Sequence, residues 1–180
     1  MSELTSIFIS VKTSEKDNSQ TDDNIYLGVE GTGGGREFLL DVSNYDDFQK
    51  GVHENYNLGG VTSTQIQTLL NQSEIPFIGY RVPYDASQGG INDPASYPID
   101  FQQIDRVYLR KMGDRVKRGD NALIIDEIAV WLYSDEGERR KFFCGRQFRL
   151  GSEYGLQVWL FPVRLISLIE ERPEEYSTER

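Results

Sequence analysis

Acidic side chains are concentrated in two stretches near the start of the chain, where they could bind a divalent cation. One stretch precedes the second predicted strand and the other follows the third. The candidate metal ligands are Glu15, Asp17, Asp22, Asp23 and Glu54, with Asp46 and Asp47 nearby. Calcium takes roughly six to eight oxygen ligands, so it needs several carboxylates and carbonyls from neighbouring loops. The alternative is a solvated acidic loop on an acidic protein, since surface carboxylates are common.

Residues that could support catalysis are sparse. His53 is the only histidine, and we expect it to be an exposed or edge residue rather than a general base. Cys144, the single cysteine, lies in an apolar predicted strand and is interpreted as a small core residue. One cysteine and one histidine also exclude the usual zinc sites. The sequence therefore predicts a protein that is not an enzyme.

Two other classes of protein stay open. A carbohydrate-active enzyme, either a glycosidase or a lyase, could use the acid pairs Asp126–Glu127 or Asp135–Glu136. Neighbouring residues of a strand point to opposite faces, however, so neither pair shares a cleft by spacing alone. The other class is a structural subunit whose sheet edges pair in an oligomer.

Cationic side chains form two groups late in the chain, against the overall charge. They are Arg106, Arg110, Lys111, Arg115, Lys117 and Arg118, then Arg139, Arg140, Lys141, Arg146 and Arg149. If the two groups share a face, they could contact an anionic lipid surface or an acidic partner. Otherwise they neutralise nearby carboxylates on exposed strands. Trp131 and Trp159 occupy predicted strands and are expected in the core.

The composition limits the cellular location and the classes of partner that we expect for the protein. A formal charge of -10 over 180 residues repels a nucleic-acid backbone, which disfavours DNA or RNA binding. A single cysteine allows no intramolecular disulfide, and the first residues lack a secretion signal. No apolar run approaches the roughly 20 residues needed to cross a bilayer. We therefore expect a cytoplasmic protein, either free or attached to the membrane periphery.

Alternating apolar and polar residues predict the strands that position these side chains. The alternation is clear over residues 7–11 and 25–29, and the glycines within 31–35 predict a hairpin to a third strand at 36–40. Later strands are predicted over 106–111, 122–133, 141–148 and 156–169, the last broken at Pro162. Short strands separated by Gly, Asp and Asn turns are typical of an all-β antiparallel sandwich.

Residues 61–103 differ from this pattern and predict an inserted segment. Thr62 to Gln65 fits a helix capping box, followed by Ile66, Leu69 and Leu70 on one helix face. Beyond the helix, prolines and glycines punctuate a long ordered loop. Its aromatic residues are candidate partner-binding anchors, namely Phe77, Tyr80, Tyr84 and Tyr97. Residues 170–180 predict a polar C-terminal tail.

Four segments in a fixed order resemble the PLAT family, named for polycystin, lipoxygenase and alpha-toxin. They are Val11-x-Thr13-x-Glu15, Thr21-Asp22-Asp23-Asn24-Ile25-Tyr26-Leu27, Phe48-x-Lys50-Gly51-x-x-Glu54-x-Tyr56 and Phe142-Phe143-Cys144-Gly145-Arg146-Gln147-Phe148. The resemblance covers residues 6–60 and 104–149. It implies one domain over residues 1–169, an eight-stranded antiparallel β-sandwich with residues 61–103 inserted between its halves.

The resemblance also implies a function. In the PLAT family the two acidic loops lie at one end of the sandwich, which would bring the candidate ligands together. Family members attach to membranes or to partner proteins, sometimes aided by calcium. The sequence therefore predicts a non-catalytic binding module with Ca²⁺ as a candidate cofactor and with a protein or an anionic membrane surface as its partner.

Overall fold

The computed structural model describes residues 1–42, 45–72, 80–81 (backbone only), 90–112 and 122–163. The strands in this part of the chain are β1 Leu4–Thr13, β2 Ile25–Gly31, β3 Gly34–Leu39, β4 His53–Leu58, β5 Tyr80–Arg81, β6 Ile104–Lys111, β7 Leu123–Ser134, β8 Arg139–Cys144, β9 Phe148–Leu150 and β10 Gln157–Val163. One helix, α1, covers Ser63–Asn71, and short 3-10 turns cover Pro94–Ser96 and Phe101–Gln103.

The strands form one curled sheet that closes around a core. Their order is β3-β2-β6-β10-β8-β7-β1-β4-β5, with β9 paired to β7. All pairs are antiparallel except the β4–β5 pair. The predicted all-β antiparallel sandwich is confirmed. The two-residue strand β5 adds to it and escaped prediction because it is so short. The strand predicted over 141–148 is divided, since β8 ends at Cys144 and the three-residue strand β9 begins at Phe148.

Strand β10 connects the two halves of the sheet. Residues 157–160 pair with β6, and residues 161–163 pair with β8. The prediction that Pro162 would break this strand was wrong, because Pro162 pairs with Phe142 inside β10. Among the described residues, the strand pairs at that point with β8 alone, so the missing proline N–H disrupts no ladder on the other side.

The main core fills the space between the two halves. Alternate residues of β1 point into it, and Ile7, Ile9 and Val11 are buried. Cys144 is buried in the same cluster, as the sequence indicates. The hairpin after β2 is also confirmed, with Gly31 paired to Gly34. The domain limits 1–169 stay a prediction, and the predicted tail lies outside the described residues.

Helix α1 builds a second cluster on the outer face of β1 and β7. Its capping box is present, since Gln65 N–H donates to Thr62 Oγ1 at 3.2 Å and Thr62 N–H donates to Gln65 Oε1 at 2.8 Å. Ile66 and Leu69 pack with Phe8 and Trp131, whose ring centroids lie 5.7 Å apart. The helix therefore covers part of the outer face of the sheet. In the described residues, no helix has the length and apolarity needed to span a membrane.

The end of the inserted segment is fastened to the edge strand β3. Asn92 accepts a hydrogen bond from Leu39 N–H at 2.8 Å and donates one to the Leu39 carbonyl at 2.6 Å. The Arg36 guanidinium donates to backbone carbonyls, among them those of Asp93 and Pro94 at 3.2 Å each. The Asn92 bonds satisfy backbone groups of Leu39 that an edge strand would otherwise expose, and the Arg36 bonds satisfy carbonyls of the inserted segment.

Candidate functional site at the loop end

An acidic pocket of about 150 Å³ lies where β2 begins and β3 ends. Residues 21–23 and Ile25 form one wall, and Asp41 with residues 45–48, between β3 and β4, forms the other. Its lining includes five aspartates, namely Asp22, Asp23, Asp41, Asp46 and Asp47. Like charges gathered in one concave site repel one another, which favours uptake of a cation.

Glu54 organises the loop from below the pocket. Its side chain is fully buried and accepts hydrogen bonds from the Tyr45 hydroxyl at 2.9 Å and from Phe48 N–H at 3.1 Å. Phe48 has a φ of 55°, an uncommon conformation for a residue other than glycine. Burial raises the pKa of Glu54 to about 7. Glu54 therefore holds the loop in shape instead of facing the pocket as an exposed ligand.

Asp47 plays a similar part on the pocket wall. Its carboxylate accepts hydrogen bonds from Val42 N–H at 2.7 Å and from the Tyr56 hydroxyl at 2.8 Å. Burial raises the pKa of Asp47 to about 6 and also raises the pKa of Tyr56. Phe48 stacks on Tyr56 with ring centroids 5.7 Å apart. Val42, Asp47, Phe48 and Tyr56 thus form a tightly bonded support beneath the acidic rim.

Lys111 neutralises one of the pocket aspartates from inside the protein. Its side chain is fully buried, and its ammonium forms an ion pair with the Asp23 carboxylate. The sequence grouped Lys111 with surface cations, and the structure places it in the interior instead. A buried lysine requires a nearby opposite charge, which Asp23 supplies. The lysine in turn offsets one of the negative charges gathered in the pocket.

The predicted metal ligands separate into three places. Asp22 and Asp23 line the pocket, and Glu54 lies beneath it. Asp17 is exposed and pairs with Lys50, which lowers the pKa of Asp17, while Glu15 is exposed beside Gly51. Neither Glu15 nor Asp17 lines the pocket.

Sequence reasoning missed Asp41 as a candidate ligand. This residue lines the pocket, and it directly follows the third predicted strand, a position that could have identified it. Within the described ranges, no three acidic, histidine or cysteine side chains already surround a common metal position. The role of the predicted residues as metal ligands stays a prediction.

Comparison with solved structures bears on the fold. Coral 8R-lipoxygenase, described as activated by calcium via a C2-like domain, is 16% identical with a TM-score of 0.50, covering 87% of this chain and 17% of that one. An alpha-toxin of Clostridium perfringens is 12% identical with a TM-score of 0.48, covering 90% of this chain and 32% of that one. No family model and no curated protein matches the sequence. The chain thus spans a minor part of the proteins it matches.

The lipoxygenase match decides the architecture. The chain has the fold of a PLAT domain. This finding confirms the resemblance drawn from the four sequence segments, and at 16% identity it concerns the fold alone. The pairing of β2 with β3 also accounts for the position of the pocket. Because the two strands are antiparallel, the loop before β2 and the loop after β3 lie at the same end of the sheet.

The predicted partner-binding residues are only partly described. Tyr97 is 61% exposed, with its ring 5.1 Å from the Arg36 guanidinium. Tyr80 lies in β5, next to β4, while Phe77 and Tyr84 lie outside the described residues. The role of these four side chains as partner-binding anchors on the PLAT fold stays a prediction.

The residues considered for catalysis occupy separate surroundings. His53, expected to be exposed or at an edge, is half-buried, and its Nε2 lies 2.7 Å from Ser10 Oγ. Burial lowers the pKa of His53. Cys144 lies in the core cluster on β8, a different part of the PLAT fold from His53 on β4. Asp126 accepts a hydrogen bond from Gln147 at 2.5 Å, and Glu127 is exposed.

Proposed function

We propose that the chain is a non-catalytic binding module that attaches to an anionic membrane surface through its loop end, with calcium bound in the acidic pocket. One observation carries this proposal: two separate loops deliver five aspartates to one pocket at one end of the PLAT fold. The proposal that the module is not an enzyme rests on its single histidine and single cysteine.

The chemistry of the pocket suits calcium. Calcium binds oxygen ligands in a flexible geometry and accepts several carboxylates together with backbone carbonyls. Asp22 and Asp46 are exposed at the rim and Asp41 is half-buried, so these three are the carboxylates that would hold the ion. Their side chains would have to rotate toward a common point. Asp47 and Glu54 would keep the loop in place, since both already accept hydrogen bonds from it.

A calcium ion at the rim would explain attachment by an acidic protein. The chain carries a formal charge of -10, which by itself repels an anionic lipid surface. Bound calcium offsets most of the negative charge of the three carboxylates that hold it and offers its remaining coordination positions to lipid headgroup oxygens. The description of coral 8R-lipoxygenase as calcium-activated through a C2-like domain supports this proposal.

Calcium titration by calorimetry tests the pocket directly. We expect calcium binding to the full chain, and at least a tenfold loss of affinity in the double variant Asp22→Asn/Asp46→Asn. The matched control is Glu136→Gln/Glu153→Gln, which makes the same change of charge at exposed turn residues elsewhere. Absence of binding by the natural chain, or an equal loss in the control, would refute the pocket as a calcium site.

Vesicle sedimentation tests the membrane. Vesicles that contain phosphatidylserine should sediment with the chain in calcium and release it when calcium is chelated. The Asp22→Asn/Asp46→Asn variant should stay in the supernatant. Calcium binding without vesicle binding would remove the membrane from the proposal and leave the metal site standing.

A further inference from the structure

A lysine ends the inward-facing row of side chains on β6. Val107, Leu109 and Lys111 alternate along this strand, and all three are fully buried. Val107 and Leu109 belong to the main core, whereas Lys111 lies at the end of the strand beside Asp23 of the acidic pocket. An ammonium loses its hydration when it is buried, so this position requires a compensating negative charge.

The backbone fixes this lysine next to the pocket wall. Lys111 pairs with Ile25 of β2, and the N–H of the following residue, Met112, donates to the Asn24 carbonyl at 2.8 Å. Asn24 directly follows Asp23, so main-chain bonds join the end of β6 to the wall that carries this carboxylate. The pairing of the strands therefore places the ammonium at the base of the pocket.

The Asp23 carboxylate lies between the buried ammonium and the pocket. Its Oδ2 accepts hydrogen bonds from the Lys111 ammonium and from the Thr21 hydroxyl. The Asp23 side chain is 34% exposed and lines the pocket. The same carboxylate thus compensates a buried cation on one side and borders the proposed calcium position on the other.

Burial makes the charge of Lys111 effective at the pocket. The Lys50–Asp17 ion pair offers a contrast, because its side chains are 42% and 92% exposed and are screened by water and salt. Lys111 is fully buried, so its charge acts across a medium of lower effective dielectric constant. A cation that enters the pocket is attracted by five aspartates and repelled by this lysine.

We propose that Lys111 is a built-in counter-ion that sets the calcium affinity of the pocket. This role rests on the proposed calcium site. The ammonium withdraws Asp23 from the calcium ligands, which leaves the carboxylates of Asp22, Asp41 and Asp46. Because the affinity of a calcium site depends on the number of charged ligands, Lys111 weakens binding. The pocket therefore fills only at calcium concentrations higher than four free carboxylates would require.

Calcium calorimetry on the full chain and three variants tests this role. Lys111→Met has nearly the same length but no charge, which frees Asp23 to bind calcium, so the affinity should rise by a factor of at least about ten. Asp23→Asn leaves the ammonium without this carboxylate, so the affinity should fall by a similar factor. Lys111→Met/Asp23→Asn removes both charges and should restore the natural affinity to within about threefold.

The sign of the change separates a counter-ion from a structural lysine. A lysine that only supports the fold would weaken calcium binding when it is replaced, whereas a counter-ion strengthens it. Arg106→Met is the matched control, since Arg106 lies on the same strand with a side chain that is 64% exposed. It removes an equal charge away from the pocket and should change the affinity by less than about twofold.

Urea unfolding without calcium gives a second measurement. Lys111→Met leaves the pocket carboxylates without this compensation, so the urea midpoint should fall. Asp22→Asn added to Lys111→Met should recover part of the loss, because it removes one of the like charges that remain. If Lys111→Met does not fold, the comparison of Asp23→Asn with Lys111→Met/Asp23→Asn decides the question, because only a counter-ion makes the double variant bind calcium better than the single one.

Three results would overturn the proposal. The first is a calcium affinity that falls or stays unchanged in Lys111→Met while the natural chain binds, which leaves the calcium site itself standing. The second is a double variant that binds as weakly as Asp23→Asn, which would make Asp23 a direct ligand. The third is an absence of calcium binding in both the natural chain and Lys111→Met, which would refute the calcium site as well. Binding by Lys111→Met alone would support the counter-ion and refute the proposed function of the natural chain.

Discussion

The acidic pocket and the outer face of strands β6, β10 and β8, which we call the β10 face, differ in how the fold builds them. The pocket gathers five aspartates from two loops, and those loops keep their shape because buried Glu54 and Asp47 accept hydrogen bonds from them. The β10 face arises from alternation along strands, with Trp159 and Phe161 pointing away from the core. A loop site can gather like charges that a cation must balance, whereas a strand face presents a flat row of side chains.

The largest expected effect contrasts the two tryptophans on the outer face of the sheet. Trp131 lies beneath α1 and is fully buried, whereas Trp159 is exposed on the β10 face. Replacement of a buried Trp131 by Ala should lower the free energy of unfolding by about 3 to 5 kcal/mol. Trp159→Ala should lower it by less than about 1 kcal/mol. Urea unfolding measures both.

Equal losses in the two variants would show that the β10 face is covered in solution. The comparison between a covered and an exposed part of the same sheet face would then fail. Each variant serves as the control for the other, because the chemical change is identical and only the burial of the ring differs.

The second effect tests the support beneath the pocket. Glu54→Met has a similar length but no acceptor, so it leaves the Tyr45 hydroxyl and Phe48 N–H without their partner. We expect unfolding free energy to fall by about 2 to 4 kcal/mol at neutral pH, since each buried unsatisfied donor costs about 1 to 3 kcal/mol. Urea unfolding gives the loss, and calcium calorimetry should show weaker binding.

Glu54→Gln is the matched control because its amide oxygen can still accept these hydrogen bonds. It should retain most of the stability that Glu54→Met loses. If the two variants are equally unstable, the loop depends on the charge of Glu54 and not on its hydrogen bonds.

Much of the fold could be predicted from local pattern. The alternation in residues 7–11 and 25–29 placed Ile7 and Leu27 in the core, and the glycines of residues 31–35 placed the hairpin. These features depend on neighbours in the sequence, which is why they are visible there. The capping box at Thr62 is local in the same sense.

The candidate site could be predicted only in part, because it depends on long-range pairing. Asp22 and Asp23 follow the sequence motif, yet Asp17 pairs with Lys50 away from the pocket. The sequence groups Lys111 with surface cations, whereas the pairing of β6 with β2 places Lys111 in the interior beside Asp23. The expectation that Trp159 lies in the core was wrong, because its exposure depends on which strands flank β10. The sequence of β10 does not identify those neighbouring strands.

The third effect concerns the packing of the Tyr108 ring against Gly28 on the outer face of the sheet. A Cβ at Gly28 would lie 2.0 Å from the Tyr108 ring, so this ring lies directly over the glycine of the neighbouring strand. Gly28→Ala should displace the ring and lower the free energy of unfolding by about 1 to 3 kcal/mol. The emission of Trp159 should shift as well, because its ring contacts Tyr108.

A double-mutant cycle separates this contact from a general effect of alanine in a strand. Once Tyr108→Ala has removed the ring, Gly28→Ala should have little further effect on stability. An undiminished loss in the double variant would mean that backbone conformation, and not the ring, requires glycine at this position.

The smallest effect is the dependence of stability on pH, which arises from the buried carboxylates at the pocket. Burial raises the pKa of Glu54 to about 7 and that of Asp47 to about 6, so between the usual carboxyl range and neutrality the folded chain binds more protons than the unfolded chain. Stability from these two groups is therefore greatest at low pH and falls as pH rises toward 7.

The fall should be about 1 to 2 kcal/mol between pH 6 and pH 7.5, and Glu54→Gln should flatten its upper part. Calcium opposes it, because a cation in the pocket favours the ionised form of Asp47, which lines the site. Calcium should thus stabilise the chain more at pH 7.5 than at pH 5. Urea unfolding with and without calcium across this range measures both effects, and a calcium effect that grows as pH falls would contradict a carboxylate site.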